Sequence, residues 1–101
     1  LLTSALLITM PTYAAPDING YKHMTGCMGE EVTMDLFKKE KSKSKWWAVS
    51  TGKAGGFGGS QHKVRKKKVS YEDATAYLRR FIKKKMKGDP DYSYCLGLYG
   101  G

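Results

Sequence analysis

Acidic residues are scarce in this chain: 9 stand against 18 Lys and Arg, for a net charge of +9 over 101 residues. Cysteine and histidine are scarcer still, with two of each. These shortages narrow the chemistry. His23 and Cys27 are four residues apart, but a single such pair lacks the further ligands that a zinc site takes. No strand-turn-helix elbow presents a serine, so a Ser-His-Asp hydrolase has no support. The glycines of residues 52–59 are followed by no Gly-Lys-Ser/Thr and open no helix, so a phosphate-cradling loop fails on residue order. A dinucleotide fold fails too, for want of a βαβ unit and of the acidic residue beyond it. No cofactor and no metal are expected.

What the first residues lack is charge. LLTSALLITMPTYAA contains none. Leu1 to Met10 reads as the apolar region of a secretory leader, and Pro11 ends it. Thr12 and Ala14 supply the small residues of a cleavage site, which places the cut after Ala14. The competing reading, a membrane anchor, meets a visible run shorter than the roughly 20 apolar residues that a span needs. The expectation is a leader over residues 1–14 and a small basic exported domain over residues 15–101, periplasmic or secreted, with no transmembrane span in the mature chain.

A domain of this size buries a modest core and often needs a covalent staple. Export makes a Cys27–Cys95 disulfide available. Closing a loop of about 69 residues is worth roughly 4 kcal/mol in the chain-entropy account.

Residues 15–29, rich in Gly and Asn-Gly, read as irregular structure leading into that disulfide. Two periods compete in EEVTMDLFKKEK. Val32, Met34 and Leu36 alternate, while Met28, Val32 and Leu36 recur every fourth residue. Acids at the start and lysines at the end suit a helix dipole, so the segment 29–40 is expected as a helix. KWWAVST (45–51) reads as a strand, with Trp46 and Ala48 on one face and Trp47 and Val49 on the other. HKVRKKKVS (62–70) reads as its returning partner, at an edge where lysines discourage further pairing. An amphipathic helix is expected over 71–87. Ser70 is its N-cap, Tyr71, Ala74, Leu78, Phe81 and Ile82 form its apolar stripe, and Gly88 is its stop. A short strand around 92–96 completes a small α+β domain: an antiparallel hairpin, a C-terminal helix packed on it, and one disulfide.

What the chain does have is clustered positive charge. Residues 38–68 hold eleven cations and one acid, Glu40. Such clustering is the footprint of a polyanion site. The candidate contacts are Lys53, Lys63, Arg65, Lys66, Lys67 and Lys68, with Phe57 at the glycine loop as an aromatic contact. Arg80, Lys83 and Lys87 on the last helix form a second basic surface. The reading is an exported, non-enzymatic binding or accessory protein that engages an anionic partner: nucleic acid, an envelope polymer or lipid, or an acidic protein. Two alternatives stand beside it. One is a small secreted ribonuclease, in which His23 and His62 would have to share a site with cations on the phosphate. The other is a structural or assembly partner in a cell-envelope complex.

Overall fold

The computed structural model describes residues 16–41, 43–54 and 61–101. The leader over 1–14, its cleavage site, and Phe57 lie outside the described residues. The elements are β1 (Tyr21–Met28), β2 (Val32–Lys39), β3 (Trp47–Lys53), β4 (Gln61–Val69), α1 (Tyr71–Lys85) and α2 (Tyr92–Leu98). The strands form one antiparallel meander in the order β1-β2-β3-β4, and the helices cover one face of it. The domain is the small α+β fold that the sequence suggests, with four strands where the sequence showed a single hairpin.

The segment expected as a helix over 29–40 is strand β2. It is a central strand buried on both faces, and such strands read as nearly continuous apolar runs. Met34 and Leu36 point to the helices. Thr33, Asp35 and Phe37 point to the other face and are also buried. Of the charges that suggested a helix dipole, Glu30 and Glu31 lie in the turn before the strand, Lys38 and Lys39 are its last two residues, and Lys41 follows it. Residues 21–28, expected as irregular, form β1, whose register slips at a bulge between His23 and Thr25. The strand expected at 92–96 is helix α2. Tyr92, Cys95, Leu96 and Tyr99 recur at helical spacing and all pack on the core.

The strands at 45–51 and 62–70 and the helix at 71–87, here α1, stand within two residues of where the sequence puts them. Ser70 caps α1 through its hydroxyl, which accepts from the Asp73 N–H at 3.0 Å. Ala74, Leu78 and Ile82 interlock with Met34, Leu36 and Val49. Tyr71 is half exposed and packs edge-on against Trp47 at 4.8 Å between centroids.

The second helix is tied to β1 by the Cys27–Cys95 disulfide and by the Thr25 hydroxyl, which donates to the Tyr99 phenol at 3.4 Å. Asp89, between the helices, accepts from the N–H groups of Glu30 and Asp91 at 2.8 Å each, and so ties the β1–β2 turn to the helix junction.

Burial lifts the Tyr99 phenol from its ordinary 10.0 to about 12, because the charged form would lose its hydration. The folded protein therefore holds this proton more tightly than the unfolded chain does. The stabilisation is full below pH 10 and is lost as pH rises through about 12. Urea unfolding at fixed pH values should show stability falling across that window. Tyr99→Phe should flatten the fall, while Tyr94→Phe, at an exposed position, should not.

Candidate functional site

Alternation along β4 would place its cations on both faces in turn, and a bulge modifies that. Val64 pairs with Ser50 and Lys66 with the adjacent Val49, so Arg65 is the extra residue. Lys63, Arg65 and Lys66 consequently lean toward the helices. Lys67 turns to the opposite, outer face, where its Nζ stands 5.8 Å from the centroid of Tyr21. Lys68 adopts φ 59° and reaches the ring of Trp46, 5.9 Å away.

On the helix side, the end of the β3–β4 ladder and the last turns of α1 enclose a groove of about 620 Å³. Lys53, Lys63 and Arg65 line it together with Lys85 of α1; Val32 and Phe81 add apolar surface and Glu31 a single acid. The Nε–H of Arg65 donates to the Thr51 hydroxyl at 3.0 Å. That bond holds the guanidinium in place, and its other N–H groups make no further hydrogen bond among the described residues. A guanidinium bonded to the sheet through Nε, beside three ammoniums, suits a carboxylate, phosphate or sulfate ligand. A smaller crevice of about 260 Å³ joins Lys66 to Arg80, and the Lys66 ammonium lies 5.8 Å from the Tyr77 ring. Part of the basic block thus adjoins α1, where Lys66 meets Arg80 and Lys63 and Arg65 meet Lys85, while Lys67 and Lys68 do not. Lys83 and Lys87 are exposed and line neither cavity. Lys85 is absent from the sequence-derived set, although its place one turn after Phe81 marks it.

The two histidines do converge. They meet on the sheet's outer face, on either side of Asp35. His23 Nε2 lies 2.7 Å from Asp35 Oδ1, and His62 Nδ1 lies 4.0 Å from Oδ2. The Asp35 side chain is 0 % exposed, against 37 % for His23 and 14 % for His62. His62 reaches across β3 because the outward residues of that strand are small: Ala48, Ser50 and Gly52. Sequence reasoning passed over Asp35, because in a helix it would be one more acid on a polar face. In a buried central strand it is a carboxylate that needs partners. Among the described residues, no group of three or more His, Cys, Asp or Glu is arranged to hold a metal ion. No helix there is long and apolar enough to cross a membrane.

Compared with known protein families, with curated proteins and with solved structures, the chain matches none.

Proposed function

We propose that this is an exported binding protein that engages an anionic partner through the basic surface of β4 and α1. One observation carries the reading: Lys53, Lys63, Arg65 and Lys85 line a single groove. Four cations drawn from two strands and a helix repel one another, and an anion between them relieves that repulsion. The smaller crevice holds Lys66 and Arg80 against a single acid, Asp73, and so keeps a positive balance. The Cys27–Cys95 disulfide supports a location outside the reducing cytosol, periplasmic or secreted.

Binding driven by phosphate neutralisation releases counterions. With four contacts on a single strand, raising salt from 50 to 200 mM weakens binding roughly 50-fold. The test is a titration of the protein against single-stranded nucleic acid and against anionic vesicles at the two salt concentrations. Salt-sensitive binding to one probe that the double variant Lys63→Glu, Arg65→Glu abolishes is the expected result. Absence of salt-sensitive binding to both probes would sink the reading.

A further inference from the structure

The groove leaves unused a second constellation on the outer face of the sheet. Strand pairing arranges it in rows. Tyr21 lies opposite Lys39, whose N–H in turn bonds the carbonyl of Trp46 at 3.0 Å. In the next row His23 lies opposite Phe37, and Phe37 opposite Ala48. In the row beyond, Asp35 lies opposite Ser50.

Three physical features stand out. The first is the His23–Asp35 pair. A carboxylate only accepts, so the short contact puts the proton of the neutral imidazole on Nε2 and leaves Nδ1 as a bare lone pair. The ring is held further by edge-on packing against Phe37 at 5.2 Å. A half-exposed imidazole with a fixed tautomer and a fixed orientation is the arrangement of a general base.

The second is charge. The ammoniums of Lys39 and Lys67, which come from different strands, both lie over the Tyr21 ring, at 5.3 and 5.8 Å from its centroid. Lys67 reaches it from the opposite edge strand of the sheet. Two like charges gathered beside a histidine leave a place for an anion. The third is an exposed aromatic. Trp46 is 42 % exposed, and alternation puts it on this same face. An exposed indole beside cations is a platform for a nucleic-acid base.

We propose that the outer face is an RNA-cleaving site, with His23 as general base, Asp35 as its positioning residue, Lys39 and Lys67 on the phosphate, and Trp46 under a base. His23 Nδ1 takes the proton of the ribose 2′ hydroxyl. The 2′ oxygen bonds to phosphorus and the bond from phosphorus to the 5′ oxygen breaks. The departing 5′ oxygen takes a proton from water, and the proton on His23 returns to solvent. The products are a 2′,3′-cyclic phosphate and a 5′ hydroxyl. Nothing is oxidised or reduced. The inference goes beyond anion binding and uses the face of the sheet opposite the groove.

The experiment incubates the disulfide-bonded protein with end-labelled single-stranded RNA, and with DNA of the same sequence, in EDTA. Binding is measured on the same samples. Cleavage of RNA to cyclic-phosphate ends, with DNA intact, is the expected result. His23→Gln should lower kcat roughly 100-fold or more, the usual share of a general base, with the fold and RNA affinity kept. Asp35→Asn removes the negative charge and can turn an amide N–H as well as an oxygen toward Nε2, so His23 is no longer held in one tautomer. This variant should lower kcat by a similar factor with KM unchanged, whereas a merely structural role would move KM and the melting temperature together. RNA that is bound but left intact overturns this inference and leaves the groove reading standing. RNA neither bound nor cut also overturns this inference, and the groove reading then rests on the vesicle titration alone. Equal cleavage by wild type and His23→Gln also overturns the inference.

Discussion

Replacing Cys27 and Cys95 together by serine should lower the unfolding free energy by roughly 4 kcal/mol, read as a fall in the urea midpoint. The bridge joins residues 68 apart, so its removal frees nearly the whole described chain in the unfolded state. The position makes the loss larger in effect. Both cysteines are buried in the main core, and the bridge ties α2 to edge strand β1, where the Thr25–Tyr99 hydrogen bond adds a weaker link. Domains of this size have only about 5–15 kcal/mol in all, and small ones lie near the lower end. The expected outcome is a protein close to half-unfolded at 37 °C, with α2 lost first. Hydrogen exchange at the amides of 92–99 measures that order. If the double variant and the wild type share one urea midpoint, the staple contributes nothing.

Gly52→Val should cost about 3 kcal/mol, the upper part of the usual range for overpacking, although valine is among the best strand formers. Propensity and packing disagree here, and packing decides. A Cβ at Gly52 would overlap the carbonyl oxygen of Gln61 on the paired strand and come within 3.0 Å of the Thr33 hydroxyl. The Gln61 atom is backbone, so relief requires the β3–β4 ladder to shift. That shift would displace Lys53, Lys63 and Arg65 from the groove. Gly97→Val makes the control for the steric argument, since a Cβ there meets nothing within 4 Å. Urea midpoints for the two variants check the difference. A Gly52→Val midpoint at or above that of the wild type would refute the argument.

How much could be seen in advance depended on whether a segment's neighbours mattered. Helix α1 was legible because its cap, its stripe and its stop are all local: Ser70, the 74-78-82 spacing and Gly88, which does adopt a positive φ. Strand β3 was legible from its aromatic and β-branched residues ending at Gly52, and β4 as the lysine-rich strand that returns after the glycine loop. The β2 segment was not, because its apolar residues satisfy two periods at once. Only its place between β1 and β3 makes the strand the better choice. In α2 the helical spacing of Tyr92, Cys95, Leu96 and Tyr99 was present but short, and was outweighed by its aromatic content.

The candidate sites divide in the same way. Composition alone marks Lys53, Lys63, Arg65 and their neighbours as one basic block. The bulge at Arg65 separates it into a groove-lining part and an outer part, and brings in Lys85 from a helix twenty residues away. Nothing local connects His23, Asp35 and His62.

From the sequence by itself come the surplus of positive charge, the availability of a single disulfide and the amphipathic helix, since each follows from composition or from contacts within a few residues. Tertiary structure alone decided which cations share a groove, and that a buried carboxylate gathers both histidines. The physical reason is that strand register, set by packing on both faces of the sheet, brings together residues that are far apart along the chain.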